Sequence, residues 1–195
     1  MNKYLTIGIL TLGIIACKEL SNNPELSKAP EKQISISSKK NIGTLKKAFK
    51  AKDEELFMEQ FPGSFFQFNN YFGWDEKAQE PYPLYDESLE YINFWFANLA
   101  KPQHKKYRNN IIKISENGHW DADAVNYFQD AAIRFIKSEN AFELINSLGE
   151  KKAKSVLYFL FDGPHPQRDT VFDRGLSQKN LKFLDEIFRN DFSKE

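Results

Sequence analysis

An all-α domain is the fold class this chain predicts, and three observations predict it. Apolar residues recur at three- and four-residue steps through seven or eight segments between Gly43 and Phe192. Glycines, prolines and capping residues fall between those segments and leave loops of only a few residues. The 18 phenylalanines sit largely on the same stripes, where aromatic rings at helical spacing fill a core with few side chains. These roughly 150 residues have the size of one domain, with no internal repeat and no sign of a second core.

Thr44 reads as the N-cap of a first helix carrying Leu45, Ala48, Phe49, Leu56 and Phe57. Ser64 caps a short second helix with Phe65, Phe68, Tyr71 and Phe72, which stops at Gly73. A third runs from Glu87 to Ala100 with Leu89, Ile92, Trp95, Phe96 and Leu99 inward, and Pro102 ends it. A fourth, from Gln103 to Glu116, aligns Tyr107, Ile111 and Ile114 and ends before Gly118. The fifth is the most regular, from Asp121 to Lys137. Ala124, Val125, Phe128, Ala132, Phe135 and Ile136 line its inner face, and Asp121 and Asp123 occupy a first turn whose dipole favours them. A sixth carries Phe142, Ile145 and Leu148 up to Gly149. The seventh spans Glu150 to Phe161, although its tail from Val156 also reads as a buried strand, and both readings stay open. The last starts at Ser177 with Leu181, Leu184, Ile187 and Phe188 at helical spacing.

The chain divides into residues 1–16, 17–42 and 43–195. The first segment has one charge, at Lys3, and then an uncharged, mostly apolar run from Tyr4 to Ala16. That run is short of the roughly 20 residues a membrane-spanning helix needs, and it fits the h-region of a secretory signal. It ends in Ile14-Ile15-Ala16-Cys17, which resembles the lipobox of bacterial lipoproteins. The resemblance implies cleavage after Ala16, thioether attachment of diacylglycerol to Cys17, and acylation of the new amino group by a chain such as palmitate. The expected location is therefore the cell envelope, with the membrane as a partner through the anchor. Lys18, in place of the aspartate of an inner-membrane retention signal, favours the outer membrane. Residues 17–42 are rich in Ser, Asn, Lys, Pro and Glu, a composition expected to form a disordered tether with a reach of about 25–30 Å. The alternation at 33–37 is compatible with a short edge strand.

With 27 Lys+Arg against 27 Asp+Glu and a pI near 6.9, the chain lacks the basic excess that nucleic-acid binding requires. A lone cysteine forms neither an internal disulfide nor a cysteine-based zinc site. Neither a glycine-rich phosphate loop nor a His-Glu-x-x-His motif is present, and Ser64 lacks the second glycine of a nucleophile elbow. No cofactor, metal or catalytic residue is expected on these grounds, and an enzyme is not the leading reading. The alternative enzyme reading rests on two loops, His119-Trp120-Asp121-Ala122-Asp123 and Asp162-Gly163-Pro164-His165-Pro166. If they meet, His119, Asp121, Asp123, Asp162 and His165 can form a metal or acid/base cluster. The plainer reading makes Asp121 and Asp123 helix N-terminal acids and Asp162-Gly163-Pro164 a rigid turn.

Charge is distributed more tellingly than any motif. Asp75, Glu76, Glu80, Asp86, Glu87 and Glu90 face one base, Lys77, and the run Lys101, Lys105, Lys106, Arg108 and Lys113 follows without an acid. The acidic stretch also holds Trp74, Tyr82 and Tyr85, and aromatic rings beside charge are what protein-binding surfaces favour. Trp74, Asp75, Glu76, Glu80, Tyr82, Tyr85 and Asp86 are therefore the candidate partner-binding residues.

Several phrases form a recognisable set: Phe61-Pro62 with Ser64, Phe65, Phe68, Phe72 and Gly73; Pro83-Leu84-Tyr85; the run from Gly118 to Phe128; and Phe161 to Pro166. Together they resemble small bacterial proteins, several of them lipoproteins, linked to polymorphic-toxin loci and of immunity type. The resemblance covers about Phe57 to Phe188 and assigns no binding or catalytic residue. It implies an anchored protein that neutralises an envelope-acting toxin by binding it. The other readings are a hydrolase or other enzyme built on the two His/Asp loops, and an envelope lipoprotein of structural role.

Overall fold

The computed structural model describes residues 42–192, so the expected signal segment, Cys17, the expected tether up to residue 41 and the alternation at 33–37 lie outside the described residues. The described chain is all-α, as predicted. Its helices are α1 (42–51), α2 (Glu54–Gln60), α3 (Phe65–Phe72), α4 (Ser88–Leu99), α5 (Asn109–Ser115), α6 (Asp123–Ser138), α7 (Glu143–Asn146), α8 (Glu150–Phe161), α9 (Thr170–Asp173) and α10 (Gln178–Ile187). Two two-residue strands, β1 (Trp74–Asp75) and β2 (Glu80–Pro81), form an antiparallel hairpin between α3 and α4. Among the described residues no helix is long and apolar enough to cross a membrane.

The predicted first helix is in fact two. Thr44 lies inside α1 rather than capping it, and the chain breaks where Lys52 takes a left-handed φ of 55° and Asp53 becomes the N-cap of α2. The Asp53 carboxylate accepts the Leu56 N–H at 3.1 Å, which secures the restart. Phe49 and Leu56 are seven residues apart, two helical turns, so their periodicity continues across a break it cannot reveal. The predicted fourth helix likewise divides into a 3-10 segment, Pro102–Tyr107, and α5, because Pro102 nucleates i→i+3 bonding instead of only ending α4. The open question at Val156 resolves as helix, since α8 runs to Phe161 and stops as Asp162 turns extended. Ser64 and Ser177 do cap their helices, accepting from Gln67 and Asn180 at 3.3 Å each.

The phenylalanine stripes form the core, as predicted. Trp95 on α4 is fully buried, stacks on Phe61 at 4.6 Å and lies 6.1 Å from Phe128 of α6. Phe128 continues the chain of rings to Phe68 at 5.1 Å and to Phe159 of α8 at 6.1 Å. Each such side chain contributes about 1.5–3 kcal/mol on leaving water. A second group, Phe142, Phe161, Phe172 and Phe188, closes α7 to α10 against the end of α8. This packing fixes two loops relative to each other: the one entering α6 after Gly118 and the one leaving α8 at Asp162. Gly118 is required there, because a Cβ at that position would lie 2.5 Å from the Phe159 ring and 3.0 Å from that of Phe65.

Candidate functional site

The acidic, aromatic stretch folds as the β1–β2 hairpin and the loop that returns to α4. Trp74 pairs with Pro81 and Asp75 with Glu80. Asp75 shapes the turn itself: its carboxylate accepts the N–H groups of Lys77 at 2.9 Å and Ala78 at 3.1 Å, and its carbonyl accepts that of Gln79 at 2.7 Å. The base of the loop is tied down by Tyr82 N–H to Gly73 and Leu84 N–H to Tyr71, with Leu84 buried beneath it. Trp74 and Tyr85 meet edge to face at 5.9 Å, both half-buried, while Glu76, Glu80 and Asp86 are exposed.

Asp121 and Asp123 belong to the same face. The phenol of Tyr82 is raised above its ordinary range by burial and then by the charges of Asp75 and Asp121. Burial likewise raises Tyr85, with Asp123, Asp86 and Asp121 adding to it. Four carboxylates from two distant stretches of sequence therefore surround two half-buried tyrosines. Helix α6 begins at Asp123, with Ala122 extended as its cap, so Asp121 precedes the helix instead of sitting in its first turn as predicted. The backbone N–H of Trp120 donates to the Asp162 carboxylate at 2.7 Å and holds this entry segment off the helix path. One Asp121 carboxylate oxygen is buried without a hydrogen-bond partner.

The ion pairs separate the two charge runs sharply. In the basic run Lys101 binds Glu54 at 2.6 Å, Lys106 binds Glu55 at 2.6 Å and Arg108 binds Glu139 at 2.9 Å. The Lys101 ammonium holds the Glu54 carboxyl below its usual range, and Lys106 does the same for Glu55. His104, buried between them, places its ring nitrogens 3.6 Å from Glu54 and 3.4 Å from Glu55. In the acidic run Glu87 alone forms an ion pair among the described residues, with Lys46 at 3.4 Å. Among the described residues Asp75, Glu76, Glu80, Asp86, Asp121 and Asp123 form no ion pair.

The two His/Asp loops do meet, but through Trp120 and Asp162 rather than through their histidines. His119 packs 4.8 Å from the Phe65 ring, whereas His165 lines a cavity under the Asp162–Gln167 loop that His119 does not reach. Among the described residues no three His, Cys, Asp or Glu side chains gather as a metal-holding group. Sequence reasoning missed the α6 residues that build this cavity with the loop: Asn126, Gln129, Asp130 and Ile133. Their i, i+3, i+4, i+7 spacing marks one helical face and was the signal available. Gln129 is the fastener, donating to the carbonyls of Phe159 at 2.5 Å and Asp162 at 2.9 Å.

Compared with protein-family models, with curated proteins and with solved structures, the chain matches none of them.

Proposed function

We propose that this chain is an envelope-anchored, immunity-type binding protein that neutralises a toxin domain by occupying its surface. The recognition face is the acidic hairpin with Trp74, Tyr82 and Tyr85, joined by Asp121 and Asp123. One observation supports this above the others: among the described residues three of the five cations in the basic run, Lys101, Lys106 and Arg108, have intramolecular ion-pair partners, whereas in the acidic run Glu87 alone does. A surface on which six carboxylates form no ion pair among the described residues, around half-buried aromatic rings, is suited to a basic partner, whose cations complete the pairs. The lipobox resemblance adds the location, since protection must sit where an envelope-acting toxin works.

The direct test is co-expression of the full chain with each product of its neighbouring genes that proves toxic to the host. Protection of the host by the wild-type chain is the expected result. Loss of protection in a variant with Asp75, Glu76, Glu80 and Asp86 all changed to Lys, at unchanged expression, would place the activity on this face. Equal toxicity with and without the wild-type chain would overturn the reading.

A further inference from the structure

Beside the acidic face, the loop from Asp162 to Gln167 lies over α6 and closes a cavity of about 340 Å³. That volume is near the lower end of those that take small ligands or single anchoring side chains. Its floor is apolar, formed by Ile133, Leu160 and Phe161. Its rim has a lopsided chemistry. Within the described residues no backbone N–H or carbonyl from Gly163 to Gln167 is engaged in a backbone hydrogen bond, and Pro164 and Pro166 have no N–H to offer. The Asp130 carboxylate is exposed on the rim and forms no ion pair among the described residues. Asp162 commits one carboxylate oxygen to the Trp120 N–H, and among the described residues no lysine or arginine lines the cavity.

Donors are present in the lining, at the free N–H groups of Gly163, His165 and Gln167 and on the side chains of Asn126, His165 and Gln167, but the carboxylates of Asp130 and Asp162 over an apolar floor have no lysine or arginine beside them among the described residues. The group that fits is rich in donors, positively charged and carried on an alkyl stem. A guanidinium offers five N–H donors in one plane and no acceptor, and it is more weakly hydrated than an ammonium. Its three-carbon stem can lie along Ile133 and Leu160 while the head reaches Asp130 and the loop carbonyls. We propose that this cavity receives an arginine side chain of the protein partner that docks on the acidic face. Trp120 connects the two regions: its indole N–H donates to Asn126 on the rim at 3.0 Å, its backbone N–H to Asp162, and its side chain is exposed between them. Gly163 permits this arrangement, since at its φ of 154° a Cβ is disfavoured and would sit 3.4 Å from the Trp120 ring.

The identity of the carrier rests on the binding reading above, whereas the guanidinium chemistry stands on the cavity alone. The test titrates the full chain, in detergent micelles, with N-acetyl-arginine amide and follows the amide NMR signals of Gly163 and Gln167 and the indole N–H of Trp120. Saturable shifts with a dissociation constant in roughly the millimolar range are expected. N-acetyl-citrulline amide, which keeps the shape and loses the charge, should give none, and the lysine analogue should bind more weakly. Asp130→Asn should weaken the arginine probe by about fivefold or more, while charge reversal at Asp75 and Glu76 leaves it within about twofold. An unsaturable response, equal binding of citrulline or lysine, or undiminished binding by Asp130→Asn would overturn the assignment even if a toxin complex forms. Binding of the arginine probe without any such complex would overturn the proposed carrier and leave the guanidinium site in place.

Discussion

Asp121 shows at the level of one side chain how two remote stretches of sequence come to share a surface. Its buried, unpartnered carboxylate oxygen is costly to keep in a fold, because water no longer solvates it and no donor replaces water. Its charge reaches Tyr82 and Tyr85, which burial has already made reluctant to ionise. Changing Asp121 to Asn should therefore lower the titration range of both phenols, and absorbance of the tyrosinate followed against pH reads this directly. Tyr91 is the internal reference: burial, with Glu87 and Glu90, pushes it up to about 12, and Asp121 is not among its neighbours. Unchanged titration of Tyr82 and Tyr85 would contradict the shared face. The sequence shows Asp121 and Asp123 as acids suited to a helix start, and Asp123 is one. It cannot show that Trp120 is held by Asp162, because that bond joins residues 42 positions apart, beyond any local spacing rule.

The elements follow the same division between local and distant causes. Helices whose ends are set by their own residues were legible, such as α3 between Ser64 and Gly73 and α10 after Ser177. The break between α1 and α2 and the short α9 were not, since each depends on a cap that periodicity does not register. Asp169 caps α9, accepting the N–H groups of Val171 and Phe172 at 2.9 Å each, and it binds Lys137 of α6 at 2.5 Å. Burial opposes its charge, but Lys137 and the two N–H groups outweigh that and hold the carboxyl below its usual range. A folded-state value below the unfolded one, which is about 3.9, means that Asp169 stabilises the fold above about pH 4. The contribution disappears as pH falls through the lowered native value. Asp169→Ala should cost about 1–2 kcal/mol at neutral pH, and urea unfolding should show the gap to wild type closing at strongly acidic pH.

Across the whole molecule, an evenly balanced sequence, with 27 basic and 27 acidic residues, becomes an unevenly satisfied structure. Helix α4 carries the acidic stretch before its N-terminus and the basic run after its C-terminus, so the two charge runs visible in the sequence occupy its opposite ends. What the sequence could not display is that Glu54, Glu55 and Glu139 return to neutralise Lys101, Lys106 and Arg108. The acids around Tyr82 and Tyr85 receive no such return, and their field falls off over about 8 Å at physiological salt. The measurement that tests this most directly is the affinity of the full chain for the products of its neighbouring genes, taken from low to high salt. It is repeated with Asp75, Glu76, Glu80 and Asp86 changed to Lys. A tight complex that weakens steeply with salt and is lost in the reversed variant is the predicted result. A complex equally tight in both chains and insensitive to salt would contradict the acidic face as the recognition surface.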